Sequence, residues 1–497
     1  MLLRYLPGLL ALTTFLFSVN ALGGDQKNVL LILVDDLKPA IGAYGDTFAV
    51  TPNIDRLAQR GVRFENAHAN QAVCMASRYN LMLGARSTSS GFYQFGTQFR
   101  SVYPDAVTLP QHFMNAGYHA ESMGKVFHIG HGNTDDAASW SVPHHKDKVI
   151  DYVLPESTNR QLTREEAFFT NTRTGVPNRE LPRGAAWENA DVLDEAYADG
   201  RVATHAIDRL KVLSQGDKPF FMAVGFARPH LPFSAPAKYW DLYDRDKVPM
   251  PEYEDDPVGA PPYAVKRRGE IQQYTPVPTG DEAFSDDLKR NLIHGYYASV
   301  SYMDAQLGRL INAVDELGLA ENTVIALWGD HGFHLGDHSS WTKHSNYEQA
   351  TRIPLIFVAP GVTVSGAASG QAAETVDIYP TLAELAGLPA PAGPQPIDGT
   401  SLVPVLKNPD KRVRDHAYHA YLKRTHLGQA IRDERYRMVQ WTDRDSGAKE
   451  YELYDYVEDP LETRNLAGER KAELDRLIAM LESHPEAKQQ VPRGRRK

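Results

Sequence analysis

Continuous apolar runs recur along the chain, and three of them run out into the same kind of polar loop. Asn28–Val34 is rich in β-branched and aliphatic residues without polar alternation. That pattern predicts a strand buried on both faces of a sheet. Tyr118–Met123, Pro219–Phe226, Thr323–Trp328 and Ile353–Ala359 read the same way. Helical spacing separates them, over Pro52–Ala58, Thr108–Ala116 with Thr108 as N-cap, Asp191–Leu213, Asp286–Leu317 and Asp377–Ala386. Alternating strands and helices point to an α/β protein. Two long segments, Asn133–Trp187 and Tyr243–Thr279, are polar or proline-rich and show no period. They read as loops over the sheet, where substrate selection is often placed. Val362–Ser369 is small and glycine-rich, and reads as a turn or exposed loop.

Past Gly399 the texture changes to shorter alternating runs at His416–Leu422, Gln429–Ile431, Tyr436–Thr442 and Glu450–Leu453. They predict a small antiparallel sheet, closed by a helix over Lys471–Leu481. The expected division is a leader at 1–21, a main domain at 25–398 and a C-terminal subdomain at 399–497.

Composition narrows the class. A formal net charge of −10 over 497 residues argues against a nucleic-acid-binding surface. Met1–Ala21 reads as a secretory signal peptide, with Arg4 as its charge, Leu9–Phe17 as its apolar run and Val19-Asn20-Ala21 as the cleavage site. No other stretch is expected to span a membrane. The chain holds no Asn-X-Ser/Thr acceptor, which favours a bacterial periplasm or exterior over a lysosome. With a single cysteine, Cys74, no intrachain disulfide is possible.

Candidate chemistry gathers where apolar runs end. Asp35-Asp36 follows the first strand, and adjacent carboxylates there call for a cation or for donors; a helix cap beside a surface charge is the alternative. Asp330-His331 follows a third buried strand. Gly124-Lys125-Val126-Phe127-His128 ends another, a signal equally open to an exposed lysine and a hydrogen-bonded histidine. His230 lies between Pro229 and Pro232, and Lys343 follows Trp341-Thr342. Cys74 opens a loop that enters a helix, close to Ser77 and Arg78. It is either a small buried residue or a group placed where a helix start favours an anion.

Cys74-Met75-Ala76-Ser77-Arg78, with Gly84 downstream, resembles the Cys-X-Pro/Ala-Ser-Arg signature of type I, formylglycine-dependent sulfatases. The likeness extends to Val34–Leu37, Gly124–His128, Pro229–Phe233, Gly329–Gly332, Trp341–Lys343 and Asp459–Leu466. Within the family it is most similar to the iduronate-2-sulfatase branch and its bacterial relatives. Ala85 stands where a second arginine is usual, with Arg86 one place later. The resemblance implies an alkaline-phosphatase/sulfatase-like α/β/α sandwich with a large mixed sheet and a smaller C-terminal antiparallel sheet. It implies conversion of Cys74 to Cα-formylglycine by a separate formylglycine-generating enzyme, and Ca2+ held by Asp35, Asp36, Asp330, His331 and the modified Cys74. It also implies a covalent sulfo-enzyme intermediate formed by one hydroxyl of the hydrated aldehyde. Arg78 and Lys125 would hold the formylglycine oxygens, Lys125 and Lys343 the sulfate. His128 would assist deprotonation and His230 would protonate the leaving alcohol. The expected substrate is a sulfated oligo- or polysaccharide. The competing expectations are a phosphonate or phosphate monoester hydrolase of the same superfamily and a catalytically silent carbohydrate-binding homologue.

Overall fold

The computed structural model describes residues 26–493, so the expected signal segment and all of the basic tail beyond Arg493 lie outside the described residues. Its main strands are β1 (Asn28–Val34), β2 (Val62–His68), β3 (His119–Gly124), β4 (Phe220–Phe226), β5 (Thr323–Gly329), β6 (Leu355–Val358) and β7 (Ala367–Glu374). They form one sheet in the order β7-β2-β6-β5-β1-β4-β3. Only β6 runs against its neighbours, β2 and β5. The sheet is therefore mixed, with β1 in its interior paired in parallel to β4 and β5.

The helices that matter below are α1 (Pro52–Arg60), α2 (Cys74–Leu83), α3 (Leu109–Asn115), α4 (Arg164–Phe169), α5 (Ala198–Leu213), α6 (Asp286–Glu316) and α7 (Ile378–Leu385). Side chains of β1 alternate between two cores. Leu30, Ile32 and Val34 pack with α1, α5 and α6. Val29, Leu31 and Leu33 pack with α2, α3 and α7. This two-sided burial is why β1 reads as an unbroken apolar run, and it makes the molecule an α/β/α sandwich. The Thr108 side chain caps α3 as expected, accepting from the Gln111 amide.

Two expectations are corrected, and one strand lies where the sequence pattern was not read. Val362–Ser369 is not wholly a turn: β7 begins at Ala367 and pairs in parallel with β2 at the sheet edge. Its small residues carry little strand propensity, and backbone pairing plus burial of Ala372 and Ala373 decide the outcome. No strand is expected at Val62–His68, yet the alternation of buried Val62 and Phe64 with half-buried Arg63 and Glu65 lays one there. The helix expected from Asp191 starts only at Ala198, because Tyr197 is extended and a separate 3-10 turn occupies Asp194–Ala196.

Ala417–Lys423, His426–Arg432, Tyr436–Asp443 and Lys449–Asp455 form the small antiparallel sheet, in that order. One face buries Leu477 and Leu481 of the last helix. The other packs Ala430, Val439, Trp441 and Tyr454 against Val73 and Ala76, bracing the start of α2.

Candidate active site

Strands β1, β3, β4 and β5 are mutually parallel, so their carboxyl ends meet at one edge, the usual place for a ligand in an α/β sheet. Asp35 and Asp36 leave β1 there, Asp330 and His331 leave β5, Lys125 leaves β3 and His230 follows β4. All six are buried, as are Cys74, Arg78, His128 and Lys343. A Cβ on Gly225 would overlap the main chain of Lys125, so only glycine lets β4 pass that close to the loop carrying Lys125.

Cys74 is the first residue of α2, and Val73 before it offers no side-chain cap. Its thiol therefore sits at a positive helix end, 3.3 Å from His331 Nε2. One turn on, Arg78 ties the site together. Its guanidinium donates to Asp35 Oδ1 at 3.1 Å, to Asp330 Oδ2 at 3.0 Å and to the carbonyl oxygens of Lys125 and Val126. Lys125 pairs with Asp35. Lys343 reaches both oxygens of Asp36, at 3.0 and 2.9 Å. Asp36 adopts a left-handed backbone with φ of 59°, held by its amide on Asp330 Oδ1 and by the Tyr296 hydroxyl on its carbonyl. A non-glycine residue in that region is strained, and such strain gathers at functional sites.

Carboxylates crowd this edge. Burial, with Asp35 and Glu270 adding to it, pushes Asp36 up to about 7. Burial and Asp35 also push Asp330 well up. Burial works against Asp35 too, but Lys125, His230 and Arg78 hold its carboxyl well below the usual range. Ligand atoms of Asp35, Cys74, Asp330 and His331 lie within 4.8 Å of one another, and so do those of Asp35, Asp36, Cys74 and His230. Hard oxygen donors at this density, two of them driven toward protonation, suit a divalent cation. The Cys74 thiol is pushed far above its ordinary range by burial and by Asp35. An unmodified cysteine here would be a poor nucleophile.

Two histidines sit differently. His230 lies between two cis X-Pro bonds, and its Nδ1 donates to the Leu231 carbonyl at 2.6 Å. Its Nε2 is 3.1 Å from Glu270 Oε1, while Glu270 Oε2 accepts from Lys343 at 2.8 Å. His128 Nε2 faces His131 Nδ1 at 3.2 Å, and its Nδ1 has no hydrogen-bond partner. His128 is thus brought to the site's rim, and among the described residues the Cys74 thiol has its hydrogen-bond contact with His331 instead. Lys38 does not enter the cluster; its ammonium lies 4.0 Å from Asp337. Arg86, the displaced arginine of the signature, forms a buried pair with Glu374 instead.

Three residues that no sequence pattern singled out complete the site. Glu270 comes from the segment read as a surface loop. Glu165 and Phe169, on α4, come from the other long loop. Phe169 lies edge-on to His230 at 5.3 Å and under the Lys125 ammonium at 4.9 Å, closing the site from outside. Glu165 is buried, and burial with Glu270 nearby raises it to about 8. Single carboxylates inside polar loops leave no periodic signal to find.

Residues 27–388 match the family described as Sulfatase, and residues 336–490 match N-sulphoglucosamine sulphohydrolase, C-terminal. Iduronate 2-sulfatase of Homo sapiens is 36% identical over 406 residues, covering 74% of this chain and 70% of that protein. A sulfatase of Formosa agariphila is 31% identical over 470 residues, covering 92% and 86%. Among solved structures, a phosphonate monoester hydrolase from Silicibacter pomeroyi superposes with a TM-score of 0.72 at 23% identity, covering 92% of this chain and 95% of that one; at that identity it speaks for the fold. The chain belongs to the sulfatase family, as a type I member similar to iduronate 2-sulfatase, and it is a sulfuric ester hydrolase.

Proposed function

We propose that this sulfatase removes sulfate from sulfated sugars, namely 2-O-sulfated uronates or related units of polysaccharides such as ulvan or glycosaminoglycans. It would do so after export to a bacterial periplasm or exterior, with formylglycine at position 74 and calcium beside it. The observation that carries the reading is Cys74 at a helix start, 3.3 Å from His331 and boxed in by three buried aspartates. Likeness to iduronate 2-sulfatase supports the sugar class.

Asp35, Asp36, Asp330, His331 and the side chain at position 74 would hold the cation, which supplies polarisation of a sulfate oxygen. Formylglycine supplies a hydrated aldehyde, with one hydroxyl to attack sulfur and a second to release it. The chain's own residues do the rest. Arg78, fixed by two aspartates and two carbonyls, orients oxygens one helical turn from position 74. Lys125 and Lys343 are the ammoniums that bind sulfate oxygens as charge builds on them.

His230 delivers a proton to the departing sugar oxygen. The Leu231 carbonyl can only accept, so Nδ1 carries hydrogen and Nε2 is the atom that exchanges it. Facing Glu270 at 3.1 Å, Nε2 makes an attractive contact only when a proton lies between the two. Burial pulls the imidazole down while Glu270 works to raise it, so that proton is ready to leave. Glu270 acts through His230 and Lys343 and is a positioning residue. Phe169 keeps water from the pair.

Parallel assays decide between this reading and a phosphate or phosphonate ester hydrolase. The matured enzyme is expected to release sulfate from an aryl sulfate and from a 2-O-sulfated uronate oligosaccharide, with turnover of the matching aryl phosphate far slower. Faster phosphate or phosphonate turnover would overturn it.

A further inference from the structure

The loop after β3 turns back through three left-handed residues in a row, Gly130 with φ of 117°, His131 with 52° and Gly132 with 89°. A Cβ on Gly130 would overlap the main chain of Phe168 and Phe169, so only glycine lets this turn press against the end of α4. The His131 amide donates to the Phe168 carbonyl at 2.9 Å, and Gly130 and Asn133 exchange main-chain hydrogen bonds. Asn171, just beyond α4, accepts from the Gly132 amide and donates to the Asn133 carbonyl. The turn is clamped, and so is its imidazole: the His131 ring stacks on Phe168 at 5.0 Å and on Phe95 at 4.9 Å. A left-handed histidine held this firmly is the kind of strain that gathers at functional sites.

What the clamped ring meets is His128. His131 Nδ1 lies 3.2 Å from His128 Nε2, while His128 Nδ1 is buried without a hydrogen-bond partner. The His128 ring is 5.4 Å from Phe169, the same side chain that packs on His230 and Lys125. Burial, Lys125, His131 and Arg78 hold the His128 imidazole well below its ordinary range, against the pull of Asp35, so the ring rests neutral. One hydrogen lies between the two imidazoles. If His131 carried it, His128 would keep its own hydrogen at Nδ1, a buried donor facing no acceptor. On His128 Nε2 it leaves Nδ1 as a bare lone pair.

We infer that His131 is a positioning residue for the sulfatase reaction: its Nδ1 accepts the Nε2 hydrogen of His128 and so leaves His128 Nδ1 as a base of the site. That base takes a proton from an oxygen at position 74, breaking O–H and forming Nδ1–H, and later returns it to water. The inference rests on the formylglycine reading above and adds the residue that sets the tautomer.

Two measurements test it. Nitrogen NMR of Cys74→Ala protein labelled at histidine reads the tautomer without turnover and without a change at position 131; His128 is identified by the signals lost in His128→Gln. A protonated Nε2 and a bare Nδ1 are expected, and the reverse would overturn the inference. In matured enzyme, His131→Phe keeps a stacked ring and removes the acceptor, whereas His131→Asn sets an amide oxygen near the place of Nδ1. Toward an aryl sulfate, kcat is expected to fall about tenfold or more in His131→Phe with KM within about twofold, and to recover to within about threefold of wild type in His131→Asn. Equal losses in both variants, or a loss in neither, would overturn it, since packing alone would then explain the ring. Absent sulfate release by the matured wild type would strike the proposed reaction, and the spectra would still decide the tautomer.

Discussion

Asp35, Asp36, Asp330 and Arg78 stand on the central strands and the helix beside them, whereas Glu165, Phe169 and Glu270 reach the same place from two long loops. The strand-end half is locked. Its backbone continues sheet pairing, and Arg78 alone ties two aspartates to two main-chain carbonyls. The loop half touches the reacting groups through side chains: Glu270 on His230 and Lys343, Phe169 over Lys125. Under the proposed function, the first half would carry the common sulfate chemistry and the second would exclude water and tune proton transfer and substrate shape.

The largest effect should come from the strand-end half. Asp330→Ala is expected to lose about 10^3-fold or more in kcat/KM toward an aryl sulfate and a sugar sulfate alike, because it removes a ligand of the proposed cation. It also leaves Arg78 buried with one carboxylate fewer, at a cost of about 3–5 kcal/mol in stability by denaturant titration. Chelator treatment of the wild type should copy the activity loss, and added Ca2+ should reverse it there but not in the variant. Retained activity in metal-free enzyme would erase the distinction between the halves.

In the loop half, Glu270→Gln should lower kcat by about 10^2-fold while changing KM little, the mark of a group acting through the leaving-group proton. Its pH–rate profile should move, which a merely structural glutamate would not cause. Equal losses in kcat for aryl sulfates with very good and very poor leaving groups would contradict the role, since a good leaving group needs little proton help.

Glu165 gives the smallest and most specific signal. Its carboxyl is raised to about 8, so the folded state binds a proton that the unfolded chain, near 4.5, has released. Stability should therefore fall as pH rises from about 4.5 to about 8, by roughly 5 kcal/mol at most, relative to Glu165→Gln. The difference is full below the lower value and is read from paired denaturation curves. Parallel curves across that window would show the group to be ionised in the fold.

The same contrast explains what the chain disclosed on its own. Unbroken apolar runs such as Asn28–Val34 read as strands covered on both faces, and the acids that follow two of them, Asp35-Asp36 and Asp330, mark a ligand edge in the sequence itself. Cys74, Arg78, Lys125, His230 and Lys343 sit in local motifs and were legible through their family resemblance. β7 was hidden by its alanines and glycine, since an edge strand draws its stability from pairing with β2. Glu270 and Phe169 were hidden because loops carry no period, and what brings them to His230 is tertiary contact. His128 was legible as a site residue, but its pairing with His131 was not.

The central claim is that the residue at position 74 works as something other than a thiol. Intact and peptide mass spectrometry of protein made with and without a formylglycine-generating enzyme, alongside sulfate release, tests it most directly. A species about 18 Da lighter than the thiol form is expected at position 74, with specific activity proportional to its fraction. Full activity in protein that carries only the unmodified thiol would contradict it.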